Sequence, residues 1–201
     1  MPANPSAFGG WIAFPMTITK TYIPGLLIIE PKVLEDARGY FYESYNQRVL
    51  EEHGVPNNFV QDNQSKSVFG VLRGLHYQLE PFAQAKLVRV LQGEVLDVAV
   101  DLRKGSPTYL KWQGEILSAE NRKQMFIPRG FAHGFVVLSE TAEFFYKCDN
   151  FYSREHDAGI RYDDPGLNID WQVAKDKMIL SEKDRNLPYL RDAKKNFEYE
   201  K

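Results

Sequence analysis

Residues 71 to 94 read VLRGLHYQLEPFAQAKLVRVLQGE, and the way this stretch is resolved decides both the fold and the place where chemistry can occur. Val71, Leu72, Leu75 and Tyr77 are strand formers, and Leu87, Val88, Val90 and Leu91 repeat the pattern after a loop that contains Pro81. Two strands are therefore expected, and Arg73, His76, Lys86 and Arg89 are set into them. A charged group on a buried strand face costs on the order of several kcal/mol unless it has a partner or lines a wet cavity. Strict alternation sends Arg73 and His76 to opposite faces. If both are to reach one ligand the strand must bulge or kink, and Gly74 is the residue that permits it.

On either side of this stretch the chain keeps the same character. TITKTYI and LLIIE, either side of Pro24-Gly25, are short β-branched runs separated by a turn signal, and Asp36-Ala37-Arg38-Gly39 makes another turn before YFYESY. The one early helix is predicted at Asn46 to His53, stopped by Gly54 and by Pro56. FVQDNQSKS leads into the central stretch. After Gln92-Gly93, Val95, Asp97, Ala99 and Asp101 alternate with Leu96, Val98, Val100 and Leu102. YLKWQGEILS, MFIP, HGFVVLS and AEFFYKC follow at the spacing of many short antiparallel strands. Beyond Asp149 the pattern loosens into short pieces that something must anchor, including SEKDRNLPYL, where Ser181 can cap a turn. The expected fold is all-β, a double-sheet jelly roll with a few short helices and a pocket between its inward faces.

Composition narrows the function classes. A chain of 201 residues fits one domain with a substantial core. A single cysteine, Cys148, excludes an internal disulfide and suits a reducing, cytoplasmic compartment. The net charge of −2 argues against a nucleic-acid or anionic-membrane surface, and no apolar run approaches the ~20 residues of a membrane span. Locally concentrated cations on a near-neutral chain point instead to a small anionic ligand. MPANPSAFGGWIAFP, residues 1 to 15, lacks the positive start of a signal peptide and is rich in Pro, Gly and Ala. It is expected to be a mobile upstream extension, with residues 16 to 201 as a single jelly-roll domain.

Each chemical position also has a structural reading. A lone strand histidine is more often a hydrogen-bonded structural residue than a base, but the cations around His76 favour chemistry. In EFFYKC, Glu143, Phe145 and Lys147 share one face and Phe144, Tyr146 and Cys148 the other, which aims Tyr146 inward. An inward tyrosine is either a core residue with a satisfied hydroxyl or a proton donor. Lys86 belongs to the face of Val88 and Val90, as a strand-end lysine that reaches solvent or as a cation in the pocket. His53 and His156 read as helix-end and loop residues.

LRGLHYQ, AQAKLVRVLQGEVLDVAVDLR, IPRGFAHGFVVLSE and AEFFYKCDNFYS, in that order, resemble the dTDP-4-dehydrorhamnose 3,5-epimerases of the cupin superfamily, from about Thr17 to about Tyr189. The resemblance implies a homodimeric, cofactor-free enzyme that inverts C3 and C5 of dTDP-4-dehydro-6-deoxy-glucose. It assigns His76 as base, Asp184 as its partner, Tyr146 as acid and Lys86 as the residue stabilising the enolate oxygen. Arg38, Glu43, Gln61, Asp62, Asn63, Arg73, His133, Asp157 and Lys183 match positions that contact nucleotide, phosphates or sugar. Gln78 and Lys86 stand where metal-binding cupins carry a second histidine and a glutamate, so no bound metal is expected. The chain departs from the family pattern at Tyr77, where phenylalanine is common, and at Asp157, where a longer acid is expected.

Overall fold

The computed structural model describes residues 16–55 and 58–200, so the expectation for residues 1 to 15, and the helix stop at Pro56, lie outside the described residues. Two sheets pack face to face. The larger joins Met16–Lys20 (β1), Leu27–Pro31 (β2), Gln61–Val68 (β5), Lys86–Gln92 (β7), Gln124–Ile127 (β10) and Thr141–Cys148 (β12) in the order β1-β2-β10-β7-β12-β5. The smaller joins Leu72–Gln78 (β6), Glu94–Asp101 (β8), Trp112–Ser118 (β9), Phe131–Val137 (β11) and Asp157–Gly159 (β13) in the order β13-β6-β11-β8-β9. Leu34–Asp36 (β3) and Gly39–Phe41 (β4) form a separate exposed hairpin around the predicted turn. Every pairing between named strands is antiparallel, and the expected double-sheet jelly roll is the architecture observed.

The core between the layers follows from period-two alternation. Ile28, Val88, Val90, Met125 and Phe144 of the larger sheet meet Val95, Ala99, Leu117, Phe135 and Val137 of the smaller. The predicted early helix forms as Gln47–Glu52 (α1). Asn46 caps it by accepting from the Arg48 and Val49 amides, and His53 closes it, its Nδ1 2.8 Å from the Val49 carbonyl. Leu50 and Val55 pack with Leu27, Ile29, Leu87 and Phe126 on the outer face of the larger sheet.

The loose tail is anchored on the other side of the molecule. Leu96, Val98, Val100 and Val136 leave the outer face of the smaller sheet apolar, and Ile160, Leu167, Trp171, Ala193 and Phe197 cover it. Burial of such side chains contributes roughly 25 cal/mol per Å² of apolar area removed from water. Directional bonds fix the register of the tail. Trp112 Nε1 donates to the Leu167 carbonyl, Trp171 Nε1 to Tyr162, and the Tyr77 hydroxyl to Lys194. A parallel bridge between Val71 and Ile179 then brings Glu182–Arg185 (α2) alongside β6. None of the described helices is long and apolar enough to cross a membrane.

Candidate active site

The cavity between the sheets takes up about 600 Å³ and is lined by Arg73, His76, Lys86, His133, Phe135, Phe144, Tyr146, Lys183 and Asp184, among others. A smaller compartment of about 350 Å³ adjoins it and shares His76, Lys86, Tyr146, Asn63 and Lys183. Gln61, Gln78, Tyr152 and Asp157 are among the other residues of its wall.

Arg73 and His76 reach the same space because β6 is bulged at the expected residue. His133 of β11 pairs with His76, but Phe135 pairs with Arg73, so Gly74 and Leu75 stand opposite Gly134 alone. The extra residue restores a common side to two positions that alternation would separate. Gly74 has φ +131°, and a Cβ there would lie 2.6 Å from the Gly134 Cα and 2.9 Å from the His133 carbonyl oxygen. Only glycine fits that approach.

His76 is held from behind by the tail. Its Nε2 lies 2.5 Å from Asp184 Oδ1, the Ser181 hydroxyl donates to Asp184 Oδ2 at 2.7 Å, and Ser181 caps α2, as expected, by accepting from the Asp184 amide. Burial pushes the Asp184 carboxyl up, but the His76 bond and charge, the Ser181 hydroxyl and Lys183 outweigh it and hold the group below its ordinary value. Such a carboxylate keeps Nε2 protonated and leaves Nδ1 as the basic nitrogen.

Tyr146 comes from the opposite sheet and points inward with Phe144 and Cys148, as the parity of β12 requires. Burial, reinforced by Cys148 and partly offset by Arg73, raises its hydroxyl above the ordinary tyrosine value and keeps it protonated. Lys86 sits beside it, its Nζ 5.8 Å from the ring centre. Desolvation lowers Lys86 despite the charges of Cys148, Asp97 and Asp157, and among the described residues it makes no salt bridge. Arg73 is likewise without a carboxylate partner there and donates through Nε and Nη2 to Ser67 Oγ at 3.2 Å. Two unpaired cations at a cavity wall suit an anionic ligand or a developing oxyanion.

The other expected contacts divide. Gln61, Asn63 and Asp157 reach the smaller compartment, and Lys183 binds Asp157 there. Asp157 also accepts from Tyr152 and Gln78. His133 lines the main cavity with Nε2 on Asp97. Asp62 alternates to the outer face of β5 and pairs with Lys147. Arg38 lies on the β3–β4 hairpin, paired with Asp36, and Glu43 accepts from Asn46; neither borders the cavity of its own chain. Gln78 is committed to Asp157 and the Ser153 amide, and no group of three or more potential metal-ligating side chains occurs among the described residues. Sequence reasoning passed over Asp97 and Tyr152. The signal for Asp97 was an acid on the inward parity of an otherwise apolar strand, whereas nothing local marked Tyr152.

A jelly roll that gathers a carboxylate-backed imidazole, an inward phenol and cations without a salt bridge around one cavity defines a cupin-type protein with an enclosed polar site. The family model described as dTDP-4-dehydrorhamnose 3,5-epimerase matches residues 20–192. The dTDP-4-dehydrorhamnose 3,5-epimerase of Shigella flexneri is 60% identical over 172 residues, 85% of this chain and 94% of the relative. The crystal structure of that of Elizabethkingia anophelis NUHP1 matches with a TM-score of 0.86 at 57% identity, covering 88% of this chain and 97% of the other. The dTDP-6-deoxy-D-glucose-3,5-epimerase of Legionella pneumophila, solved in complex with dTDP-4-keto-L-rhamnose, matches with a TM-score of 0.84 at 52% identity, covering 89% and 94%. The chain belongs to the dTDP-4-dehydrorhamnose 3,5-epimerase family and is an isomerase.

Proposed function

We propose that the chain inverts C3 and C5 of dTDP-4-dehydro-6-deoxy-D-glucose, giving dTDP-4-dehydro-L-rhamnose without a cofactor. The observation that carries this reading is that His76, backed by Asp184, and Tyr146 belong to opposite sheets yet border one cavity, with Lys86 beside them. Both carbons flank the C4 ketone, so each proton is acidified by the same carbonyl. His76 Nδ1 takes the proton from one side of the ring, and the electron pair moves onto the C4 oxygen. Lys86 stabilises that enolate oxygen, because a fixed cation in a low-dielectric cavity is worth more than the same charge in water. The enolate then collapses while the Tyr146 hydroxyl returns a proton from the other side. The imidazolium and phenolate reset by exchange with solvent. Arg73 and Lys183 are available for the diphosphate, and Gln61 and Asn63 for the adjoining nucleotide.

The protein works as a homodimer in the cytoplasm on this reading. Arg38 and Glu43 match substrate-contact positions but lie outside their own cavity, and the hairpin bearing Arg38 exposes Tyr40 and Phe41. A second copy that receives this hairpin would bring both residues to a ligand. Sedimentation of the purified protein at the mass of one chain would remove the dimer. NMR of the 4-keto sugar nucleotide in D₂O tests substrate and reaction together. Deuterium is expected at both C3 and C5 with inversion at each; label at only one carbon would reduce the activity to a single epimerisation.

A further inference from the structure

The proton relay leaves one buried group without a role. Asp97 lies on β8, fully buried, facing the cavity layer, and pairs with no lysine or arginine among the described residues. Its Oδ2 and Oδ1 lie 2.9 and 3.1 Å from His133 Nε2. His133 is fixed a second way, since its ring stacks on Phe144 with centroids 6.0 Å apart and planes at 26°. The ring therefore has one orientation, and its remaining nitrogen, Nδ1, has no hydrogen-bond partner among the described residues while His133 lines the cavity.

The charges around this ring determine what Nδ1 offers. Burial lowers the His133 pKa and Asp97 works against it, but Lys86 and His76, which also face the ring, lower it further, and the net shift is downward. A neutral ring with its proton on Nε2, directed at a carboxylate, carries a lone pair on Nδ1. That edge repels an enolate oxygen and accepts a hydroxyl.

We infer that Asp97 is a positioning residue that fixes His133 in its Nε2–H form, so that Nδ1 accepts a hydrogen bond from a ring hydroxyl of the bound sugar. The division of the wall is then complete: Lys86 meets the oxygen that gains charge, and His133 meets a hydroxyl that does not. The choice of a sugar hydroxyl as donor rests on the proposed substrate; the tautomer does not.

Nitrogen-15 NMR of histidine-labelled protein without ligand tests the tautomer directly, with the His133 signals assigned by their loss in His133→Phe. A neutral Nε2–H ring at pH 7 is expected; an imidazolium or an Nδ1–H ring overturns the inference. Asp97→Asn should weaken the tautomer preference and raise KM for the 4-keto sugar nucleotide about tenfold, more than it lowers kcat, as loss of one aligned hydrogen bond predicts. His133→Phe keeps the ring stack, removes the acceptor and should raise KM comparably even if Asp97→Asn does not fold. An unchanged KM in His133→Phe defeats the hydroxyl contact. Absence of deuterium incorporation by the unmodified enzyme would instead count against the epimerase reading and leave the NMR result standing.

Discussion

Two imidazole–carboxylate pairs stand side by side, His76 with Asp184 and His133 with Asp97, and their histidines are register partners on β6 and β11. They differ in where the carboxylate comes from and how much water reaches the ring. The His76 side chain is 30% exposed and its partner arrives on a tail helix 108 residues away; the His133 side chain is 7% exposed and its partner sits on the neighbouring strand of the same sheet. The base in the proposed reaction must exchange protons with solvent every turnover, and the more exposed first ring is the better placed to do so. The second is enclosed, and burial, with Lys86 adding to it, lowers its pKa against the pull of Asp97, which suits a fixed acceptor. Chemistry alone, two histidines each on an aspartate, does not separate a proton carrier from a ruler; burial and neighbouring charge do.

The sharpest way to break this contrast is to remove each ring. His76→Ala should lower kcat about 10⁴-fold, at the upper end of what general-base catalysis contributes, while ligand binding survives. A similar collapse of kcat in His133→Ala, with KM unmoved, would mean that both rings move protons. Asp184→Asn comes next, with kcat falling about 10³-fold because the carboxylate both orients His76 and stabilises its protonated form. Asp184 also leaves a mark on stability. Its folded pKa is depressed, so the stability it contributes is complete above the unfolded value of about 3.9 and is lost as pH falls through the folded one. Denaturation midpoints of the native protein should therefore drop more steeply below pH ~4 than those of Asp184→Asn. Parallel curves would show that the pair is not formed in solution.

The difference between the two pairs also marks how far sequence alone could reach. Strand periodicity locates β6, β7, β8 and β12, and parity within β12 aims Tyr146 inward. The bulge in β6 was foreseeable because two residues an odd number apart had to share a face and a glycine lay between them. Asp184 was different. It sits in a polar stretch, and only the resemblance selected it, because its burial depends on a tail that crosses the outer face of the smaller sheet. Lys86 is placed by the face it shares with Val88 and Val90, but its having no salt bridge among the described residues is a property of packing. Arg38 and Glu43 show the opposite limit: a matching position does not by itself bring the side chain to the cavity of its own chain.

Tyr146→Phe probes the sheet opposite both pairs and should lower net inversion about 10²-fold, within the range for loss of one positioned acid. Its value lies in what remains. With His76 and Asp184 intact, proton removal continues, and in D₂O the recovered substrate should exchange hydrogen with solvent faster than product forms. Loss of exchange in step with inversion would make Tyr146 necessary for proton removal itself, and the division of the two steps between the sheets would fall.

The smallest effect expected is at Tyr77, one residue from His76 but facing the tail. Its ring meets Phe197 at 5.8 Å and its hydroxyl donates to the Lys194 carbonyl at 2.8 Å. Tyr77→Phe removes that one bond and should cost about 1 kcal/mol of stability, the usual worth of a satisfied internal hydrogen bond. Whether kcat follows depends on how the tail is built. The segment carrying Asp184 has its own fastenings: the Val71–Ile179 bridge, the Ser181 cap and the bond from Arg161 Nη1 to the Arg185 carbonyl. With these intact the His76–Asp184 distance should not change, and kcat should stay within twofold of the native value while the denaturation midpoint falls. A fall in kcat larger than the loss of stability, with KM constant, would mean that the tail moves as one piece and that the base depends on anchorage near the C-terminus, far from its carboxylate. The His133–Asp97 pair, held within one sheet, would remain unaffected in either case.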